Sequence, residues 1–256
     1  MPETPPAAGR VLGPDHPLAV RAAARLALEQ RKATADYGAH GDPWAFVRDC
    51  VWTRDEATGQ VRRYPPHEYA ELLVRRWQSH PIVVVAKSRR MVVTWLFVAV
   101  NYWLARFTPL SKCAFMARKL GRTETEGSCE LVRRAHFIHR HTPASLPAVE
   151  CEYSIGLLRF PNGSEIVALG EGEKQARQHT FTSVLADEVS FWEHAYETWV
   201  ALRPTIEGGG RITAVSSMRL FVVSASPPKS SFSRAPACSS APQPPGPGLP
   251  LHAPSV

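Results

Sequence analysis

The chain has 256 residues, a formal net charge of +7 and five cysteines without CxxC spacing. That length holds one large α/β domain or two small ones, and the positive balance suits an anionic partner such as nucleotide or nucleic acid. Cys50, Cys113, Cys129, Cys151 and Cys238 argue against a zinc site or disulfide framework and for a reducing cytosol. MPETPPAAGR has no apolar core and reads as no signal peptide, and Met91 to Leu104 is too short to span a bilayer and contains Asn101.

In chain order, residues 1–41 read as an N-terminal extension, Pro- and Ala-rich and disordered to about residue 16, then a peripheral helix over Leu18 to Gln30. Residues 42–77 carry aromatic anchors, a turn at Glu56 to Gly59, and a helix that begins near Pro66. That helix has Tyr69, Leu72, Leu73 and Trp77 on one side and ends before Pro81. The apolar, β-branched run Ile82 to Ala86 predicts a strand buried on both faces. It meets a basic cluster, Lys87, Arg89 and Arg90, and from Thr94 an apolar helix. Strand, short basic loop and helix are the layout of a phosphate-binding loop.

A second strand is expected over Cys113 to Ala117 and a charged amphipathic helix over Glu124 to His139. Leu157 to Phe160 and Glu165 to Leu169 flank Pro161-Asn162-Gly163-Ser164, a hairpin signal. Phe181 to Ala186 reads as a buried strand, followed by a helix from about Ser190 that ends ahead of Pro204. A glycine turn, Gly208 to Gly210, leads to a strand over Arg211 to Val215 that runs into Ser216-Ser217. The alternation predicts an α/β fold with a largely parallel central sheet flanked by helices. Trp95, Trp103, Trp192 and Trp199 are expected in the core, and His136, His139 and His141 are expected to be solvated or phosphate-facing rather than metal ligands.

Two stretches carry chemistry. In SVLADEVSFW, Asp187 and Glu188 emerge side by side from a buried strand. Such a pair can hold Mg²⁺ with the first carboxylate and orient and deprotonate a water with the second. In KSRRMVVT, 87 to 94, Lys87 can reach phosphates and Thr94 can offer its hydroxyl to the metal. This loop has no glycine, and Val92 and Val93 occupy its tightest part. A β-branched residue strongly disfavours positive φ, so the loop is expected to avoid that geometry or to bind poorly.

From about residue 42 to 218, these pieces resemble the ATPase domain of the large terminase subunit of tailed bacteriophages, a P-loop NTPase of ASCE type. KSRRMVVTW is similar to that family's deviant Walker A loop, with lysine at its start. VLADEVSFWEHAYETWVALRPTIEGGGRITAVSSM resembles its Walker B motif and the strand leading to its coupling motif, and FPNGSEIVALGEGEKQARQHTFT resembles the segment before Walker B. The resemblance implies that Lys87, Ser88, Arg89, Arg90 and Thr94 bind nucleotide, and that Asp187 with Thr94 holds Mg²⁺. It implies Glu188 as the base, Ser216 and Ser217 as the coupling motif, and Arg177, here followed by Gln178, as a phosphate sensor. ATP and Mg²⁺ are the implied cofactors. The implied partners are double-stranded DNA, the portal and procapsid, the terminase small subunit and further copies in a ring, with no membrane, in the bacterial host cytoplasm. Where an adenine-reading glutamine is expected, around Tyr64 to Tyr69, none stands, and the Gly usual in the loop is Val92.

These motifs delimit an ATPase domain over 42–224 and a Pro/Ser-rich disordered tail over 225–256, read as a frameshift or truncation product. No acidic residue follows Glu207, so the metal-dependent nuclease of a full terminase is not expected. Two alternatives remain open: a helicase-like nucleic-acid ATPase, and a catalytically inactive prophage remnant.

Overall fold

Three adjacent strands alternate their apolar side chains between two layers, and the helices pack accordingly. The computed structural model describes residues 16–38, 40–55, 58–88, 91–172 and 180–217. In chain order these form α1 (Pro17–Tyr37), α2 (Pro43–Cys50), β1 (Trp52–Arg54), β2 (Val61–Arg63), α3 (Glu68–Ser79), β3 (Ile82–Lys87) and α4 (Val93–Phe107). There follow β4 (Lys112–Ala117), α5 (Gly127–Arg140), β5 (Glu152–Ser154), β6 (Leu157–Arg159), β7 (Glu165–Gly170) and β8 (Ser183–Asp187). A 3-10 turn (Val189–Phe191), α6 (Ala195–Glu207) and β9 (Arg211–Ser217) complete the described chain.

The main sheet runs β3-β9-β8-β4-β7-β6-β5. Its first five strands are mutually parallel, and β6 and β5 continue it antiparallel. The expected α/β fold, largely parallel and flanked by helices, is what forms. One strand, β9, separates the strand that precedes the basic loop from the strand that carries the carboxylates. β1 and β2 make a separate antiparallel ribbon.

Period-two alternation sorts the core. Val83, Val85, Cys113, Phe115, Leu185 and Val215 face a layer built by α2, α3, α4 and α5, whereas Ala114, Met116, Val184, Ala186 and Ile212 face α6. α4 is the central element: every residue from Val93 to Trp103 is buried. Its carboxyl end is closed by the predicted hairpin, where Asn162 Nδ2 donates to the carbonyls of Ala105 and Arg106. Asp42 Oδ1 accepts the Trp44 N–H at 3.0 Å to cap α2, and the same carboxylate takes both terminal nitrogens of Arg75 on α3 at 2.8 Å. That bidentate pair couples the two outer helices.

The structure corrects five expectations, the first being Leu72, which lies on the outer side of α3 at 56% exposed rather than with the buried Trp77. β3 is not buried on both faces: Ile82 is 40% and Val84 55% exposed. It is the edge strand, and α6 covers the face that Ile82 and Val84 share with Ile212 and Ala214 only further inward. α6 does not stop ahead of Pro204 but runs through it to Glu207. Pro204 lies on the helix's exposed side, as does Val200 one turn before, so the carbonyl that loses its partner can be hydrated. Trp199 belongs to that outward side and is 36% exposed, while Trp95, Trp103 and Trp192 are buried as expected. The three histidines are half-buried and packed on aromatic rings rather than freely solvated: His136 stacks on Tyr153 with ring centroids 3.9 Å apart, His141 on Phe137 at 4.0 Å, and His139 packs edge-on to Tyr102. Among the described residues no group of three or more His, Cys, Asp or Glu gathers to hold a metal ion, and no helix is long and apolar enough to cross a membrane. The expected disordered segments, up to residue 15 and over 225–256, lie outside the described residues.

The dependence on α4 is measurable. Phe97→Ala, which empties a site that is 0% exposed, is expected to cost about 3–5 kcal/mol in urea unfolding. Leu72→Ala, on the outer side of α3 and 56% exposed, is expected to shift stability by less than about 0.5 kcal/mol.

Candidate nucleotide site

Three parallel strands end together at one rim of the sheet. β3 and β9 pair Lys87 with Ser217, and β8 and β9 pair Asp187 with Val215. The carboxyl ends of neighbouring parallel strands form the crevice where α/β sheets bind ligands. Here they gather almost all the described residues that the sequence singles out.

Lys87 closes β3, and its Nζ donates to Glu188 Oε1 at 2.8 Å. The other carboxylate oxygen of Glu188 accepts the Ser217 N–H at 3.3 Å. Thr94, in the first turn of α4, donates from Oγ1 to Asp187 Oδ1 at 3.1 Å. Ser216 Oγ accepts the Ser190 N–H at 2.9 Å, tying β9 to the turn after the carboxylates. Lys87, Thr94, Asp187, Glu188, Ser216 and Ser217 therefore converge. Ser88 is exposed in the loop, and its N–H donates to Met91 Sδ at 3.4 Å. Arg89, Arg90 and Arg177 lie outside the described residues.

Electrostatics separates the two carboxylates. Burial pushes the Asp187 carboxyl up, with the Glu188 charge adding to the rise and the Lys87 and Arg134 charges opposing it. Burial would also raise Glu188, but the hydrogen bond and charge of Lys87 and the Ser217 N–H outweigh it and hold that carboxyl below its usual range. Paired to Lys87, Glu188 is a weak base; released from it, the carboxylate recovers basicity. Asp187 and the Thr94 hydroxyl place two hard oxygens side by side, the donor chemistry of Mg²⁺. The residues present fit that ion.

The loop takes the geometry it was expected to avoid. Val92 stands at φ 55°, ψ 13° as the residue before α4, with no side-chain cap. The first N–H groups of α4 are thus left toward the crevice side, as in an anion-binding helix start. Glu188 is also left-handed, at φ 49°. Of three non-glycine residues with positive φ among those described, two are in this site.

Three contributors escaped sequence reasoning. Tyr69 donates its hydroxyl to the Met91 carbonyl at 2.6 Å and steadies the loop. Trp192 donates its indole N–H to the Asp187 carbonyl at 3.0 Å. Arg134 on α5 pairs with Glu130 at 3.1 Å, lies 5.2 Å from the centre of the Trp95 ring, and brings its charge to bear on Asp187. An aromatic residue four places after Glu188 was a usable signal for Trp192; nothing local marks Tyr69, eighteen residues before Lys87, or Arg134, forty residues after Thr94.

Two outcomes follow from strain and charge. Val92→Gly relieves left-handed strain of about 1–2 kcal/mol but gives up the packing of a half-buried valine against the core and adds chain entropy, so stability in urea unfolding is expected to change by less than about 1 kcal/mol. Because the folded Asp187 carboxyl is raised, its contribution to stability is full below the unfolded pKa and is lost as pH rises through the folded value. Asp187→Asn is expected to raise the thermal midpoint at neutral pH and flatten that pH dependence, read by thermal unfolding across pH. An unaltered pH profile would discard the buried charge as the cause.

No family model and no curated protein matches the sequence. Among solved structures, the chain is similar to the HK97 bacteriophage large terminase at 16% identity and TM-score 0.51, over 70% of this chain and 37% of that one. It also aligns with the large terminase ATPase domain of Thermus phage P74-26, in two forms at 18% and 16% identity, each with TM-score 0.46 over 60% of this chain. The chain spans 65% of that domain's length. The HK97 likeness is one of fold: an α/β domain with a largely parallel central sheet between helical layers.

Proposed function

We propose that this chain is the ATP-hydrolysing motor part of a viral DNA-packaging terminase, coupling turnover to movement of double-stranded DNA into a procapsid. The observation that carries the reading is the meeting of Lys87 and Glu188 at 2.8 Å from positions a hundred residues apart, beside the Thr94–Asp187 contact. The fold shared with the HK97 large terminase supports it.

In this reading Lys87 exchanges the Glu188 carboxylate for the β and γ phosphates, with Ser88 and the start of α4 adding donors. Thr94 and Asp187 hold Mg²⁺, which supplies neutralisation of the phosphate charge when bound. Glu188, freed from Lys87, takes a proton from water as the water oxygen bonds to the γ-phosphorus and the bond to the β-bridging oxygen breaks. The Ser217 N–H on Glu188 gives β9 a direct contact with the base, so Ser216 and Ser217 sense the change. Arg89, Arg90 and Arg177 are assigned to the phosphates on the same resemblance. The working partners are the portal, the small subunit and further copies in a ring, in the host cytoplasm.

Strain at Val92 favours a second reading, a remnant that binds nucleotide weakly and does not turn it over; a helicase-like ATPase is the third. Malachite-green phosphate release separates them, with double-stranded DNA present and absent. Wild type is expected to release phosphate, and Glu188→Gln to lose at least about a hundredfold in rate while retaining nucleotide in calorimetric titration with a non-hydrolysable analogue. Equal release by the two proteins removes Glu188 as base. Silence of both in release and in titration establishes the remnant, and strand separation without portal or procapsid binding establishes the helicase.

A further inference from the structure

Two helices of this chain turn apolar stripes to solvent. The carboxyl half of α1 is anchored: Trp103 Nε1 donates to the Tyr37 carbonyl at 2.7 Å, the Tyr37 hydroxyl to Asp49 Oδ2 at 3.1 Å, and Gln30 Nε2 to the Ala144 carbonyl at 3.4 Å. The amino half is different. Residues 20–29 are all exposed, and Ala33 is the one buried residue of the helix. Leu18, Ala22 and Leu26 follow at i, i+4 and i+8 and share a face with Ala33. The stripe that meets the core at one end therefore runs off the body at the other, as an arm over residues 17–29 that rises by about 20 Å. Helices in proteins draw most of their stability from packing an apolar face, and this arm has its face in water. Arg21, Arg25 and Lys32 border the stripe on one side, and Glu29 is taken by Arg25 at 3.0 Å.

On α6 the outward residues Tyr196, Trp199, Val200 and Arg203 stand at i, i+3, i+4 and i+7, and all are exposed. That is the spacing with which a helix presents itself to a partner, and Trp, Tyr and Arg are the residues that carry such contacts. The start of this helix is acidic. Glu171 accepts the His194 N–H at 2.8 Å, Glu193 is met by Arg118, and Glu197 follows on the exposed side.

We propose that the arm of one copy docks on the outward stripe of α6 of a second copy. Both halves of the contact are present in this one chain, and their charges are opposite. Two basic arms repel each other, as do two acidic helix starts, so the charges select the unlike pairing. An unlike contact is head-to-tail, and repeating it extends the assembly until it closes as a ring. α6 begins eight residues after Asp187, and Trp192 between them donates to the Asp187 carbonyl. A docked arm thus rests on the element that follows the carboxylate pair. The inference rests on the proposed function only for closure into a ring; the contact itself stands on the two surfaces.

Sedimentation velocity of the nucleotide-free chain is the test. Wild type is expected to assemble as its concentration rises, and less readily at high salt. Leu26→Asp on the arm and Tyr196→Asp on α6 change exposed side chains and are expected to keep the wild-type thermal midpoint. Each is expected to raise the concentration of half-assembly at least about tenfold. Their mixture is decisive: each variant keeps one intact half, so the two form a one-to-one dimer that grows no further. Glu188→Gln is expected to assemble as wild type does, so absent hydrolysis with assembly intact counts against the proposed function alone. A wild type that stays monomeric, or an assembly indifferent to both substitutions, overturns the proposal. A mixture that stays monomeric also overturns it and assigns a like-to-like contact.

Discussion

Backbone pairing of β9 between β3 and β8 determines where every described motif residue can stand. Lys87 lies opposite Ser217, and Asp187 opposite Val215. Those two registers bring residues from three distant stretches to one rim. A slip of one residue in either ladder would turn the strand's side chains to the wrong layer, and both layers are packed, so the register is strongly specified. The site inherits its accuracy from the core. α4 continues that logic, because its first turn must start where β3 ends for Thr94 to meet Asp187.

The rim is locally unfavourable in several ways at once. Val92 and Glu188 have left-handed backbones, Asp187 is a carboxylate whose ionisation burial opposes, and α4 begins without a side-chain cap. The Lys87–Glu188 pair offsets part of this while no ligand is present. In the proposed function each of these features would improve on binding a phosphate and a divalent cation: the helix start would gain an acceptor, Asp187 a positive neighbour, and Lys87 would keep a partner.

Much of this was readable from the chain alone, for physical reasons. The Asp187-Glu188 pair ends an apolar run, Lys87 follows a β-branched one, and Pro and Gly punctuate the hairpin at 161–164, so local signals and tertiary structure agree. What escaped notice was set by neighbours. The outer face of β3 looks as apolar as its inner face, and only strand order reveals that it lies at the edge. Pro204 and Trp199 follow the same logic, since helix continuation and exposure depend on which side of α6 meets the sheet. Val92 shows the reverse case, in which packing of α4 overrides a backbone preference that its sequence states plainly. The Tyr69 clamp and the reach of Arg134 are long-range contacts with no periodicity to announce them.

Edge placement has a mechanical consequence. Among the described residues β3 is held by one hydrogen-bonded ladder, whereas β8 is held by two, against β4 and β9. Local opening is easiest where the fewest backbone bonds and apolar contacts must be broken. The strand that delivers Lys87 is therefore the compliant member of the site, and the strand that delivers Asp187 is the anvil. If Lys87 exchanges Glu188 for a phosphate as proposed, it does so from the part of the sheet most able to yield.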